Sequence, residues 1–319
     1  MADQSKIAWT EATWNPVSGC SKISEGCRNC YAERDWPRLT RLVPAYAGRS
    51  FENVACHSER LDQPLRWKRP RKIFVNSMSD LFHPDVQEDF IRAVFAIMAA
   101  ATWHTFQILT KRPERMREIL IRWESEGLVL RSGYGMKLPN VWLGVSVEDQ
   151  KAANERIPLL LETPASVRWV SIEPMIGPVT FRWAKWQSGF KETLEGLLVR
   201  NHLDGLRRLE WIVVGGESGP NARPMEAEWV RKIKYECEEA STPIFVKQLG
   251  AAYSDPVDGI AGASLKIPEE VIDLLKRRLK HRSGADMDEW PEDLKIREWP
   301  EEKQCQNDQD LVKADEISE

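Results

Sequence analysis

The segment Lys72-Ile-Phe-Val75, followed by Asn76-Ser-Met-Ser-Asp80, is the main indication of the fold, because an apolar run ends abruptly in a polar cluster. A strand buried on both faces of a parallel sheet is encoded by such a near-continuous apolar run. The pattern recurs in five later runs, each followed by polar, charged or glycine residues: Thr105–Leu109, Val141–Val145, Val167–Val170, Trp211–Val214 and Pro243–Val246. This repetition predicts a parallel sheet in an α/β fold.

Amphipathic helical patterns separate several of these runs. Apolar residues three and four apart predict helices with one buried stripe in Val86–Ala101, Pro113–Gly127, Glu148–Leu161 and Glu226–Ala240. Further strands are expected near Lys6–Trp14 and Phe51–Ala55, which makes about eight strands, the number in a TIM-like barrel. Polar residues end almost every strand, so a TIM-like (β/α) barrel, complete or partly open, fits better than a doubly wound sheet.

The chain divides into three expected parts. Residues 1–253 form the barrel, with a cysteine loop at 15–33 and an insertion at 181–208. Residues 254–300 form a C-terminal extension that packs on the barrel and contains a helix near Pro268–Arg282. Residues 301–319 are polar and charged, and we expect a disordered acidic tail there. The formal net charge of −4 therefore combines an acidic tail with a mildly basic body.

Composition excludes several classes of protein. No apolar run approaches the roughly 20 residues needed to span a bilayer, and the N-terminus Met1-Ala-Asp-Gln-Ser-Lys6 lacks a signal-peptide pattern. Six cysteines in 319 residues are too sparse for a disulfide framework. We therefore expect a cytoplasmic protein with no membrane partner, whose thiols remain available as metal ligands.

Three of the cysteines, Cys20, Cys27 and Cys30, form the pattern C-x6-C-x2-C. Three thiolates suit a [4Fe–4S] cluster with one iron left open for a substrate, whereas a structural zinc site usually closes with four protein ligands. We predict that these cysteines ligate a metal centre in an N-terminal three-Cys cluster loop. Cys56 or His57 could supply a fourth ligand after folding, so zinc is the alternative.

Polar side chains at the strand ends are the second candidate site, because a barrel assembles its active site at the C-terminal ends of its strands. Three of them, Glu148, Glu173 and Glu217, are carboxylates on separate strands. Such groups can hold a zwitterionic, ribose-bearing ligand, although each could instead support a helix N-terminus. The predicted cofactor or substrate contacts are Asn76, Ser77, Asp80, Ser146, Glu148, Glu173 and Glu217. No single catalytic residue is assigned.

Two basic runs indicate a further partner. Arg66–Lys72 contains an interleaved tryptophan, and Lys111, Arg112, Arg115 and Arg117 form the second run. A solvated surface is the simpler interpretation. Together the runs could form one positive rim that meets nucleic-acid phosphates, so nucleic acid is a candidate partner after the cofactor.

The segments Thr13–Cys20 and Gly26–Glu33 resemble the opening of the phage-associated three-Cys-motif proteins, a largely uncharacterised family. Later blocks with the same resemblance are Phe74–His83, Leu109–Arg115, Val141–Glu148 and Val213–Gly219. That family is similar to radical S-adenosylmethionine enzymes, although the usual cysteine spacing there is C-x3-C-x2-C.

The resemblance implies a (β/α) barrel with a [4Fe–4S] cluster on the three cysteines, flanked by Tyr31. It also implies reductive cleavage of S-adenosylmethionine with an external electron donor, and hydrogen abstraction from an unknown substrate, for which nucleic acid is a candidate. Two other functions stay open. One is a non-catalytic module that binds nucleic acid or protein and carries structural zinc or a cluster. The other is a cluster enzyme that repairs nucleic acid by redox or photochemistry without S-adenosylmethionine.

Overall fold

The computed structural model describes residues 5–130, 134–182, 202–255 and 279–300. Its strands are β1 (Ala12–Trp14), β2 (Val17–Ser18), β3 (Ala55–Cys56), β4 (Lys72–Val75), β5 (Thr105–Thr110), β6 (Val141–Val147), β7 (Val167–Ile172), β8 (Trp211–Gly215), β9 (Met225–Glu226), β10 (Ile244–Gln248) and β11 (Tyr253–Ser254). Its helices are α1 (Tyr31–Leu42), α2 (Gln63–Arg66), α3 (Glu88–Ala100), α4 (Pro113–Ser125), α5 (Gln150–Glu162) and α6 (Ala227–Ala240).

Seven strands form one parallel sheet in the order β1-β4-β5-β6-β7-β8-β10. Each strand pairs with the next in register, for example Phe74 with Gln107 and Ser146 with Ser171. The sheet curls into a half-barrel, and within the described residues β1 and β10 do not pair with each other. The prediction of an α/β fold with a partly open TIM-like barrel is therefore confirmed.

The strand expected at Phe51–Ala55 is not part of the barrel. β3 pairs antiparallel with β2 in a separate two-stranded ribbon, and β1 pairs directly with β4, so no strand fits between them. The carbonyl of Phe51 instead accepts a hydrogen bond from the Cys20 amide at 2.9 Å. The segment at Phe51–Ala55 therefore contacts the start of the cysteine loop. The half-barrel has seven strands rather than about eight.

Alternation along each strand separates two cores, because successive side chains point to opposite faces. One set, rich in tryptophan, fills the inside of the half-barrel: Trp9, Phe74, Trp142, Val167, Trp169, Trp211, Val213 and Phe245. The alternate residues face the larger core, which contains the apolar stripes of the helices. Gly144 makes room for this packing, since a β-carbon there would lie 2.5 Å from the Trp169 indole.

The C-terminal segment of the described chain extends the sheet at its β10 edge. The amide of Val246 donates to the carbonyl of Ile296, and the amide of Glu298 donates to the carbonyl of Ile244, both at 2.9 Å. Trp299 stacks on Trp211 with ring centroids 5.0 Å apart. The segment therefore contacts the barrel where β8 and β10 begin.

Some of the predicted features lie outside the described residues. These are most of the insertion at 181–208 and of the helix near Pro268–Arg282, and the tail at 301–319. The division into parts at residue 253 stays a prediction. No helix in the described ranges is both long and apolar enough to cross a lipid bilayer.

Candidate functional site

A cavity of about 450 Å³ lies at the C-terminal ends of the strands, beneath the loop that carries the three cysteines. Cys20, Cys27 and Cys30 all contribute to its wall. The predicted polar residues that also line it are Asn76, Ser77, Asp80, Ser146, Glu173 and Glu217. Six of the seven predicted contact residues therefore meet the three cysteines at one cavity, and Glu148 is the exception.

The part of the cysteine loop that carries the three cysteines, residues 19–30, begins at a glycine that no other residue could easily replace. Gly19 has φ +88°, in the left-handed region that favours glycine, and a β-carbon there would lie 2.7 Å from the carbonyl oxygen of Asn53. Its amide donates to the carbonyl of Met78 at 3.1 Å. The loop is thus tied at its start to the residues after β4.

Asp80 and Arg112 form the first anchor of the loop. Arg112 Nη1 lies 3.1 Å from Asp80 Oδ2, and its Nη2 donates to the carbonyl of Ser21 at 3.0 Å. Asp80 also accepts from the Thr110 hydroxyl at 2.7 Å. Arg112 Nη1 lies 3.6 Å from Cys20 Sγ. Burial, followed by the nearby Asp80 carboxylate, raises the pKa of the Cys20 thiol to about 11, so binding of a metal by this thiol would release a proton.

Glu148 and Arg156 form the second anchor, below the middle of the loop. Arg156 Nη1 lies 2.8 Å from Glu148 Oε2, and both side chains are buried. Burial alone would raise the pKa of the Glu148 carboxyl, but hydrogen bonding with Ser24 and the charge of Arg156 hold it below its usual range. The backbone of Gly26 packs directly on Glu148. Glu148 therefore supports the loop instead of facing the cavity.

Glu217 and Arg223 form the third anchor. Arg223 Nη2 lies 2.7 Å from Glu217 Oε1, and Asn29 Nδ2 donates to Glu217 Oε2 at 2.9 Å. Arg223 also donates to the carbonyl of Glu25 at 2.9 Å. Burial would raise the pKa of Glu217, but the hydrogen bonds from Arg223 lower it below its usual range. The Glu217 carboxylate lines the cavity, but its oxygens already accept hydrogen bonds from Asn29 in the loop and from Arg223.

Besides the Trp9 indole nitrogen, two buried polar atoms in the cavity wall have no partner among the described residues. They are Asn76 Nδ2 and Ser171 Oγ, on side chains that are 3% and 0% exposed. Asn76 is held in place because its Oδ1 accepts from the Val17 amide at 3.1 Å. Buried polar groups are rarely left unpaired, so these two atoms indicate a site for a polar ligand.

The remaining wall carries two polar pairs. Lys111 Nζ donates to Ser146 Oγ at 2.7 Å, and Lys247 pairs with the Glu173 carboxylate. Of the predicted carboxylates, Glu173 alone faces the cavity with a lysine partner on a neighbouring wall. Ser77 donates to Asn15 Oδ1 at 3.1 Å, which fixes the turn after β4.

The residues that pair with the predicted carboxylates were not among the predicted site residues. Arg156 and Arg223 follow Glu148 and Glu217 by eight and six residues, and Lys247 is the next-to-last residue of β10. Lys247 and Ser171 could have been predicted as site residues, because both lie near the C-terminal end of a strand. No local pattern identified Arg156 or Arg223.

The three cysteines supply the three thiolates that a [4Fe–4S] cluster with one open iron takes from a protein. The described residues contain no group of three or more His, Cys, Asp or Glu side chains gathered around one point. A cluster does not need such a group, because its thiolates bind separate irons. Cys56 is exposed, and His57 bonds to the Ser18 hydroxyl at 2.6 Å, so neither reaches the cavity as a fourth ligand.

The two basic runs do not form one rim, contrary to the prediction. Arg66–Arg71 precede β4 and so lie at the N-terminal end of the sheet, whereas Lys111–Arg117 follow β5 at its C-terminal end. Within the second run Arg115 donates to the carbonyl of Val86 at 2.6 Å, and Arg117 pairs with Glu162. Most of this second run is therefore already engaged within the protein.

Residues 4–293 match the model of a protein family described as "Protein of unknown function (DUF5131)". The chain belongs to this family. The prediction of a largely uncharacterised family is thus confirmed at that level, while the association with phages stays a prediction. A search of curated protein sequences finds no significant match.

Solved structures of spore photoproduct lyase show low similarity to this chain. The complex with dinucleoside spore photoproduct has 13% identity and a TM-score of 0.39, with 74% of this chain and 63% of that chain covered. A cysteine-to-alanine mutant has 12% identity and a TM-score of 0.45, with 77% and 78% covered. A further mutant, with bound AdoMet and dinucleoside spore photoproduct, has 12% identity and a TM-score of 0.39, with 75% and 64% covered. The chain thus spans less than two thirds of the first of these proteins, and similarity this low identifies neither substrate nor cofactor.

Proposed function

We propose that the protein is an iron–sulfur enzyme of the radical S-adenosylmethionine type, with Cys20, Cys27 and Cys30 as the cluster ligands. One observation carries the proposal. The thiols of a single loop open onto a cavity that also presents the unpaired buried groups of Asn76 and Ser171. Three thiols next to an open cavity that presents unpaired polar groups suit a cluster that shares one iron with a second ligand.

The chemistry that such a cluster supplies when bound is one-electron reduction of S-adenosylmethionine, which releases a carbon radical able to take hydrogen from a substrate. The protein's own residues bind the ligand and orient it. Asn76 Nδ2 donates to a ligand oxygen, and the Ser171 hydroxyl serves as donor or acceptor. Glu173 and Lys247 offer a carboxylate and an ammonium group to a zwitterionic ligand.

The three anchors of the cysteine loop have a positioning role in this proposal. Arg112, Glu148 and Glu217 reach the loop at its start, middle and end. A buried arginine–carboxylate pair has directional hydrogen bonds, so it restrains a loop more than a single contact does. The anchors therefore hold the thiols at the cavity wall, while the aromatic floor of Trp9 and Phe74 excludes water.

The test is metal and product analysis of anaerobically purified protein. We expect about four irons and four sulfides per chain, as a [4Fe–4S] cluster requires. Reduction with dithionite in the presence of S-adenosylmethionine should release 5′-deoxyadenosine. Single alanine variants of Cys20, Cys27 and Cys30 should each lose most of the iron and all of this product.

Cys56→Ala is the matched control, because Cys56 is exposed and does not line the cavity. It should keep full iron content and full product release. Zinc without iron in the wild-type protein, or an intact cluster that gives no 5′-deoxyadenosine, would contradict the proposal. Iron loss in Cys56→Ala equal to that in Cys27→Ala would contradict the assignment of ligands.

A further inference from the structure

We propose that single-stranded nucleic acid binds along the exposed face of α1 and delivers a nucleotide into the cavity. The inference names a substrate class for the proposed enzyme and rests on that function for the reaction. The binding itself depends on this surface alone.

The exposed face of α1 is a stripe of one aromatic and three basic side chains. Tyr31, Arg34, Arg38 and Arg41 are all exposed and are spaced three, four and three residues apart, which places them on one side of a helix. The stripe runs about 15 Å along the helix axis. Trp36 on the opposite side is buried, so the helix is anchored in the protein by its other face.

Most of this positive charge is available to a ligand. Within the described ranges Arg41 has no carboxylate partner, and Arg34 donates to the carbonyl of Ser218 at 3.0 Å. Arg38 lies 3.8 Å from Asp35, and both groups are exposed. Exposed pairs of this kind contribute at most about 1 kcal/mol, so a phosphate can compete for the arginine.

The stripe leads into the cavity, because Tyr31 and Arg34 belong to both. Tyr31 is 44% exposed, and its hydroxyl donates to the carbonyl of Ser77 at 2.5 Å. The hydroxyl therefore fixes the ring at the cavity mouth while leaving part of the ring in solvent. An aromatic ring in this position can stack on a base, which is how single-strand-binding proteins hold nucleotides without reading sequence.

The cavity wall has positive charge that no described carboxylate offsets. Four carboxylates line the cavity, and each lies beside an arginine or lysine: Asp35 beside Arg38, Asp80 beside Arg112, Glu173 beside Lys247 and Glu217 beside Arg223. Lys6 and Lys111 also line the cavity, and neither forms an ion pair with a described carboxylate. The wall thus attracts an anionic ligand. The row of cations on the stripe favours a ligand that carries a chain of phosphates.

A single strand explains these features better than an acidic peptide. The ring of Tyr31 can stack on a base, whereas a peptide carboxylate has no need of an aromatic ring. A base within a duplex would first have to leave the stack. The first partner to test is therefore a flexible single strand.

The experiment measures fluorescence anisotropy of a labelled twelve-nucleotide DNA and the equivalent RNA with the full-length protein over a range of KCl concentrations. The test variant is Arg38→Glu/Arg41→Glu, which leaves the cavity wall intact. We expect at least a tenfold weaker affinity at low salt. Loss of two phosphate contacts should also reduce the slope of log Kd against log salt by about 1.4.

The matched control is Lys68→Glu/Arg69→Glu, which reverses two exposed charges at the opposite end of the sheet. It should bind like the wild type. The absence of binding at low salt, an equal loss in both double variants, or displacement of the strand by polyglutamate as readily as by unlabelled oligonucleotide would each overturn the proposal. Unchanged iron content and 5′-deoxyadenosine release in Arg38→Glu/Arg41→Glu would show that the stripe acts separately from the cluster.

Discussion

Glu148 Oε2 lies 2.8 Å from the position that a β-carbon on Gly26 would occupy. Gly26 lies in the middle of the cysteine loop, one residue before Cys27, so the contact joins the loop to a buried carboxylate. Because the Arg156 guanidinium holds Glu148 from below, the carboxylate has little room to move away. The loop position next to a predicted iron ligand therefore requires a residue without a side chain.

Gly26→Ala should displace the loop while leaving the barrel folded. Overpacking of this kind costs about 1–3 kcal/mol, and the loop can relieve it by moving away from Glu148. We expect lower iron content after anaerobic reconstitution and a small change in melting temperature. Gly177→Ala is the control, since a β-carbon there would meet Asp149 at an ordinary 3.6 Å. Full iron content in Gly26→Ala would contradict this role of the contact.

Arg156→Met should destabilise the whole protein, because it leaves the buried Glu148 carboxylate without its partner. Breaking a buried ion pair in this way typically costs about 3–5 kcal/mol. Lys151→Met is the comparison on the same helix, where Lys151 and Glu155 form an exposed pair at 3.9 Å. That variant should change the free energy of unfolding by less than about 1 kcal/mol. Urea unfolding of both variants tests the difference, and similar losses would refute it.

Ser171→Ala should leave stability unchanged or slightly improved, because the buried hydroxyl has no hydrogen-bond partner among the described residues. If the hydroxyl contacts a ligand, the same change should weaken S-adenosylmethionine binding about fivefold to tenfold, the loss of one hydrogen bond. Ser18→Ala is the contrasting variant, since its hydroxyl bonds to both His57 and Arg49. Thermal unfolding and calorimetric titration distinguish the two serines. A large drop in the melting temperature of Ser171→Ala would argue against the ligand role.

Glu88 should contribute to acid sensitivity. Burial alone would raise the pKa of its carboxyl, but the hydrogen bond from the Trp123 indole and the charges of Arg122 and Arg92 lower it below the usual value. A depressed folded-state pKa means that the stabilisation is present above the ordinary pKa of glutamate and is lost as pH falls through the folded value. Glu88→Gln should therefore be less stable at pH 7 and show a flatter loss of stability below about pH 4.5. Parallel denaturation curves at all pH values would contradict this.

The barrel was predictable from sequence because each strand is a separate apolar run, and parallel pairing needs no other local signal. The position of Cys20, Cys27 and Cys30 beside the polar strand ends follows from the same topology. The pairing of Glu148 with Arg156 and of Glu217 with Arg223 could not be predicted, since a strand-end carboxylate looks the same whether it faces a ligand or an arginine. The prediction that Phe51–Ala55 is a barrel strand was wrong for a related reason. The composition of a strand does not identify the strand with which it pairs.

Ile296 and Glu298 occupy the outer edge of β10, where they satisfy the backbone groups of Ile244 and Val246. A fragment cut short of this segment would expose a bare parallel-strand edge beside an uncovered Trp211. Unpaired strand edges recruit other chains, so truncated expression products that end near residue 255 should self-associate. Recombinant versions of the protein therefore need to retain residues up to Pro300.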